Sequence, residues 1–231
     1  MFDILTVFES LVEIIKVVPK TLLLALIILL LSFVLGAAIT YIQSLNIPVI
    51  KQVIDVLQSF LRGTPNVVLL YLVYYSLPLV VSYFLSLFDV AFDPASLNSA
   101  AVVIVTFSIC YSVFQSEIIR GALHSLDKDQ IEAAQSLGYS TTQTLRKVIV
   151  PQVMTEALPD TMNAFLIIIK ALSLAFLVTV VDIFAQARLV GAQTFSYLEA
   201  FVAAALVYWV ICGLLTYLIN KLENRMRRGY A

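Results

Sequence analysis

Charge is what this sequence has least of. Lys, Arg, Asp and Glu make up 13% of its 231 residues, against about a quarter of a soluble domain. With 61% of residues hydrophobic, that deficit excludes an ordinary soluble domain and identifies a membrane protein. Cysteine is nearly absent: Cys110 and Cys212 both lie in apolar runs, with no disulfide framework and no zinc spacing, and read as small packing residues. His124 is the only histidine, so no histidine cluster exists for catalysis or metal binding. None of the seven glycines opens a G-x-x-x-x-G-K-[ST] loop, so the chain has no nucleotide site of its own by this signature. The net charge of −1 says little by itself, because the charges are unevenly placed, and no nucleic-acid partner is expected. The first twenty residues place Asp3, Glu9 and Glu13 against Lys16 and Lys20. A positive leader region is missing there, and a cleaved signal is not expected. No repeat, low-complexity tract or second soluble domain is visible.

What is present is a set of long apolar runs. A bilayer core of ~30 Å takes about 20 residues of helix. Residues 21–42, 66–88, 94–116 and 200–220 satisfy this without a formal charge, and 161–181 does so with Lys170 near its middle. Residues 52–61 are amphipathic and are expected to extend the second span. Strand alternation is lacking, so these segments are read as helices whose backbone groups are satisfied internally. The expected architecture is an all-α membrane protein with five spans, about 20–42, 53–88, 94–123, 155–181 and 199–221. A loop at about 124–152 interrupts them.

Basic residues set the orientation. The connection between spans two and three carries Asp89 and Asp93 and no Lys or Arg. The loop after span three holds Arg120, Lys128, Arg146 and Lys147, and the tail holds Lys221, Arg225, Arg227 and Arg228. These last two regions are therefore placed in the cytoplasm. Lys51 falls inside as well. With five spans the N-terminus is then outside and the C-terminus inside. Lys16 and Lys20 run against the rule but are accompanied by three acids.

The loop has a readable grammar. Asp129 through Glu132 fits a capping box, and a helix is expected over about residues 130–137. Gly138 supplies the left-handed residue that ends it. Ser140 and Gln143 offer a second cap, for a short helix reaching towards Val150, which Pro151 stops or kinks. Ala133, Ala134 and Leu137 give the first helix a small apolar face. A helix lying on lipid would favour large apolar and basic side chains instead.

This loop resembles the EAA loop of bacterial ABC-importer permeases. Glu132-Ala133-Ala134, Gly138 and Val150-Pro151-Gln152 carry the likeness, with Val150 where Leu is usual. Glu117-Ile118-Ile119-Arg120-Gly121-Ala122 resembles the E-I-x-R-G-A run of the polar amino-acid uptake branch. Arg62-Gly63-Thr64-Pro65 matches its R-G-T-P, and Ala157-Leu158-Pro159 with Asn163 its L-P-x-x-x-N. Lys170 through Leu174 resembles K-D-T-S-L, with Ala171 and Leu172 departing, and Leu222-Glu223-Asn224-Arg225 resembles the closing L-E-x-R. The matches keep their order over about residues 20–225.

The resemblance implies a type I importer permease fold in the bacterial cytoplasmic (inner) membrane. It implies no covalent chemistry and no cofactor in this chain, with ATP and Mg held by a partner ATPase. The implied partners are two ATP-binding subunits, a second permease in a homodimer or heterodimer, an external substrate-binding protein and membrane lipid. ATPase closure is then transmitted through the loop. Glu132, Ala133, Ala134 and Leu137 are expected to form the docking face, Gly138 its turn and Pro151 its end. Arg146 and Lys147 either pair with ATPase acids or stay solvated against lipid phosphate.

An ionisable group inside a span marks a functional hypothesis. Lys170 either attracts the α-carboxylate of an amino acid, pairs with Glu117 or a backbone carbonyl, snorkels to the interface, or holds a helix–helix contact. Gly63, Thr64 and Pro65 are expected to kink or unwind span two, which either exposes backbone to substrate or serves packing. Asn163 and Ser173 are further pathway candidates. Gln115 is another, or else it bonds a neighbouring helix. Tyr71, Tyr74, Tyr75, Tyr208 and Trp209 read as packing or interface residues. Many relatives place Glu after the matching Asn; here Ala164 stands there, which disfavours a cationic substrate. Leu172 through Phe176, with Leu198-Glu199-Ala200 and Leu206-Val207-Tyr208-Trp209, looks most like permeases for cystine. The rival class is a stand-alone channel or ion-coupled carrier, which should show an intramembrane carboxylate or an inverted repeat. An exporter or a sensor-coupled permease is a third reading.

Overall fold

The computed structural model describes residues 2–227, and these are helical and connecting segments without a strand. Arg228 lies outside the described residues, as do the side chains of Ala95, Lys128 and Arg227. The α-helices are, in order, α1 Ile4–Ile15, α2 Val18–Ser44, α3 Pro48–Gly63, α4 Asn66–Ser86, α5 Ser99–His124, α6 Lys128–Ser136, α7 Thr141–Thr144, α8 Val150–Ala171, α9 Ile183–Thr194 and α10 Tyr197–Arg227. Five segments are long and apolar enough to cross a membrane: α2, α4, α5, Thr141–Val178 around α8, and Tyr197–Met226 in α10. The fold is thus the all-α, five-span architecture that the sequence implied.

The spine is the α2–α5 pair. Ser32, Gly36 and Thr40 recur every four residues on α2, as Ser108, Ser112 and Ser116 do on α5, and all six are buried. Without a hydrophobic drive between helices in lipid, close backbone approach supplies the attraction. A Cβ added at Gly36 would stand 2.7 Å from Gln115 Cβ and 2.8 Å from the Ser116 nitrogen, so only hydrogen fits. The Thr40 hydroxyl donates to the Ser116 carbonyl at 3.0 Å, tying the two helices at the same level. Above this seam Leu24, Ile28, Phe107, Ile168 and Leu172 form the main core, bringing in α8. A second core joins α1, α9 and α10 through Val7, Ile14, Ile183, Ala187 and Ala203.

Span two differs from its expected course. It is not one helix from about residue 53 but two, α3 and α4, broken at Thr64-Pro65, where both residues are extended. Pro65 has no N–H, so the Leu61 carbonyl loses its helical donor, and Thr64 is held off the helical region by the following ring. The break lies deep. Asn66 Nδ2 reaches the Tyr111 hydroxyl at 3.4 Å, and Tyr111 is midway along α5. Gln58 Nε2 donates to Ser116 Oγ at 2.9 Å, and Gln43 Nε2 to Asp55 at 3.1 Å. So α3 runs beside the half of α5 nearer the loop. Its one buried residue is the polar Gln58, while Val49, Val53, Val56, Leu57 and Phe60 are exposed. That inversion is what a helix against lipid or another apolar surface requires.

Two further elements were not anticipated. α1 is capped by Asp3, whose carboxylate accepts from the Leu5 N–H at 3.0 Å. α9 is capped by the buried Asp182, which accepts from Phe184, Ala185 and the Tyr208 hydroxyl. Each is 12 residues long, too short to announce itself by hydropathy.

Candidate functional site

The loop helix α6 starts two residues earlier than the capping-box pattern suggested. Asp127, not Asp129, is the cap: its carboxylate accepts from the Asp129 N–H at 3.0 Å. Asp127 is the residue left extended where α5 has just ended at His124, so it meets the open amides first. At the other end the Tyr139 N–H donates to the Ala134 carbonyl and the Gly138 N–H to that of Gln135. This is a Schellman turn, and Gly138 takes the left-handed position at φ 81°. Ser140 and Gln143 then form a complete capping box for α7. Pro151 does not stop the chain but stands in the first turn of the next helix. Leu145–Ile149 widens into a single π turn and α8 begins at Val150 with Pro151 in its first turn. The wider turn makes room for the proline ring, which would otherwise meet the carbonyl four residues back.

The loop is anchored lightly. Gln152 Nε2 donates to Gln130 Oε1 at 2.6 Å, and the Lys147 ammonium sits 5.3 Å from the Tyr139 ring centre. Glu132, Ala133 and Leu137 are exposed, and Leu137 is 79% exposed. Ala134 turns inward and is buried. The outward face of α6 therefore combines the carboxylates of Asp129 and Glu132 with the small Ala133 and the large apolar Leu137. Arg146 and Lys147 are exposed beside it.

The second feature is a stripe on α8. Glu156, Asp160, Asn163, Ile167 and Lys170 follow at steps of four, three, four and three residues, and all are exposed. The opposite face, with Ala157, Thr161, Ala164, Ile168 and Ile169, is buried. Each charge at mid-bilayer depth costs about 2.5–3.5 kcal/mol by insertion scales, so this stripe does not face lipid tails. Because α8 ends at Ala171, Lys170 lies in its last turn, within the longer apolar segment Thr141–Val178. There the cation faces the negative end of the helix dipole. Lys170 does not meet Glu117. Glu117 instead pairs with Arg62 and, at 3.5 Å, with Arg120. A groove of about 400 Å³ lies between the stripe and α5, lined by Glu117, Gly121, Ser125, Glu156 and Asp160 among others.

The remaining candidates separate. Gly63 and Thr64 lie at the α3 break, Gly63 exposed and the Thr64 hydroxyl bonded to the Phe60 carbonyl. Pro65 is exposed and begins α4. Gln115 is fully buried and accepts from the Thr161 hydroxyl at 3.2 Å. It thus bonds a neighbouring helix and lines no open path in this conformation. Ser173 is half-buried and its hydroxyl donates to the Lys170 carbonyl. Tyr71 and Tyr75 stack at 6.1 Å along an exposed face of α4, whereas Tyr208 bonds Asp182 and Trp209 is exposed. The Arg62–Glu117–Arg120 cluster and the carboxylates of Glu156 and Asp160 were not singled out from sequence. Their signal was present: Glu156, Asp160, Asn163 and Lys170 share a helical face. Among the described residues, no three His, Cys, Asp or Glu side chains are grouped to hold a metal ion.

Comparison with known proteins follows the same lines. Residues 45–228 match the family described as binding-protein-dependent transport system inner membrane component. A probable amino-acid ABC transporter permease protein, PatM of Vibrio harveyi, is 35% identical over 99% of this chain and 98% of its own. The L-cystine transport system permease protein TcyL of Bacillus subtilis is 30% identical over 91% of this chain and 86% of its own. Among solved structures, an amino acid ABC transporter crystallised with histidines superposes with a TM-score of 0.80 at 26% identity, covering 97% and 99% of the two chains.

Proposed function

The chain belongs to the family of binding-protein-dependent transport system inner membrane components, and from that premise we propose how it moves an amino acid. It is the permease subunit of an amino-acid ABC importer, a multi-pass protein of the bacterial inner membrane. The observation that carries the mechanistic reading is the exposed polar stripe on α8, a helix tied to the Schellman-turned loop helix α6 by the Gln152–Gln130 bond.

In this reading α6 docks on a separate ATP-binding subunit. Glu132, Ala133 and Leu137 make the contact; Ala134 packs behind them and Gly138 holds the turn. The widened turn at Leu145–Ile149 and Pro151 connect the loop directly to α8, so movement of α6 is passed to the stripe. ATP and Mg reside on the ATPase, one copy of which serves each of two permease chains. The second permease, identical or related, closes the pathway from the other side. The loop end of the bundle is cytoplasmic and the N-terminus external, as the positions of Lys and Arg support.

Substrate runs along the stripe. Lys170 attracts the α-carboxylate, and Asn163 offers a neutral hydrogen-bonding site. Asp160 and Glu156 receive the ammonium nearer the cytoplasm. The break formed by Gly63, at the end of α3, and the extended Thr64-Pro65 borders the path, and Ser173 supports the Lys170 turn. Gln115 shapes the path only through Thr161. We favour cystine among polar amino acids. Ala164, where many relatives carry Glu, leaves no added carboxylate for a cationic side chain, and the likeness to TcyL supports the same substrate. A stand-alone channel or carrier is disfavoured by the built docking loop, which such a protein has no use for.

The test is uptake of labelled cystine, glutamine and arginine by cells with and without the gene. Selective, ATP-dependent loss of cystine uptake is expected. Loss of glutamine or arginine uptake instead keeps the importer and discards cystine. No change for any amino acid, with redundant systems deleted, overturns the substrate class.

A further inference from the structure

We propose that the tip between α9 and α10, led by Phe195, is the seat of the substrate-binding protein on this chain. This rests on the reading above, in which the chain is a binding-protein-dependent permease and this tip is external. Phe195 is 90% exposed and stands at φ 56°, ψ 22°. Helices commonly end on such a left-handed residue, but Gly or Asn is the usual occupant because a Cβ crowds the backbone. Here an aromatic side chain holds a strained position and belongs to none of the apolar clusters of the bundle. Strain of this kind points to a use outside the fold.

The projection is built by its surroundings. Tyr197 folds back over α9 at Gly191, where an added Cβ would stand 2.8 Å from the Tyr197 ring and 3.1 Å from its Cα. One edge of the Tyr197 ring thus packs on α9 while Phe195 points outward, and Leu198 beside it is 63% exposed. A groove of about 390 Å³ runs up to this tip between α1 and α9, lined by Thr6, Glu9, Ser10, Glu13, Gln193 and Thr194, with the buried Val190 beneath them. Glu13 is paired with Lys16, whereas Glu9 makes no ion pair among the described residues. The Asp3 N–H donates to the Glu199 carboxylate at 3.2 Å at the same end, adding two more acids. The other end of α9 is joined through Thr179, also left-handed at φ 67°, so two strained turns bracket the helix.

The partner that fits is a soluble protein with an apolar pocket for one aromatic ring and a rim of basic or amide side chains facing Glu9. The match to a binding-protein-dependent family supplies that occupant. An anionic lipid surface is the poorer fit, because the groove beside the ring is acidic. Phe195 would act as the central apolar anchor, with the polar groove as rim.

The test uses the permease assembled with its ATPase in lipid nanodiscs, and reads ATP hydrolysis against the concentration of the system's own substrate-loaded binding protein. Phe195→Gly removes the ring and relieves the strain. The variant should keep basal hydrolysis and thermal stability at or above the original, yet need at least tenfold more binding protein for half-maximal stimulation. Glu9→Gln should raise that concentration about threefold, with the effect fading at high salt. Normal stimulation of the original protein with an unchanged Phe195→Gly curve overturns the proposal alone. No stimulation of the original protein overturns the importer reading and this proposal with it. In a Trp209→Phe background, Phe195→Trp fluorescence quenched by brominated lipid and indifferent to the binding protein would place the tip in the membrane instead.

Discussion

α5 and α4 have nearly the same hydropathy, 1.8 and 1.9, yet 67% of the α5 membrane window is buried in the chain and 11% of the α4 window. Hydropathy places both in the bilayer and says nothing about which is spine and which is face. What separates them is side-chain size and polarity at four-residue steps. α5 carries Ser108, Ser112 and Ser116 against the small residues of α2, so backbones close to contact. α4 carries Tyr71, Tyr75, Leu72 and Leu79 outward and is reached through α3, whose only buried residue is Gln58. One pair is locked by shape. The other is held by a few polar bonds and a broken backbone at Pro65, which suits a part that moves or meets a second chain.

The comparison breaks most visibly at Gly36. Replacing Gly36 with Leu overpacks the seam, and overpacking of this kind costs about 1–3 kcal/mol, occasionally more. Membrane-inserted protein should fall several-fold on immunoblots of membrane fractions, and a normal level would show that the seam is looser than the 2.7 Å clearance says. Next in size is Lys170→Gln. Folding should be unaffected, since Lys170 is exposed, while the apparent KM for uptake rises about tenfold, equal to about 1.4 kcal/mol. An unchanged KM would remove Lys170 from the pathway. Arg62→Ala on α3 should leave protein levels intact and change the transport rate two- to fivefold. Altered levels with an unaltered rate per molecule would make the Arg62–Glu117 pair a structural tie only. The smallest effect belongs to Gln58→Leu, which removes the bond to Ser116 and a longer one from Gln43, each worth about 0.6 kcal/mol in membranes. Thermal denaturation in detergent should shift by only a degree or two, and a collapse of α3 packing would show that α3 is not loosely held.

The spans and the loop were legible because each has a strong local cause: long apolar runs, caps at Ser140 and Gly138, and proline at Pro65 and Pro151. The start of α6 was misplaced because Asp127 and Asp129 are equally good caps on paper, and only the end of α5 chooses between them. α1 and α9 were missed although Asp3 and Asp182 each precede an apolar run, the usual mark of a helix start. Their shortness hid them. The depth of the Thr64-Pro65 break and the role of Gln115 depend on which residues α5 presents at the same level, which is a tertiary fact. The α8 stripe had helical spacing all along, but its exposure needed the opposite face to be seen packed.

The central claim is that α6 passes ATPase movement to α8 through a turn held by Gly138. Gly138→Val forces a branched side chain into the left-handed turn at φ 81°, a strain of about 1–2 kcal/mol. The direct measurement is ATP hydrolysis and labelled amino-acid uptake by the reconstituted complex carrying this change, with insertion verified. The account predicts that uptake per ATP falls at least tenfold while the permease remains inserted and folded. Uptake per ATP equal to that of the unmodified complex would contradict it.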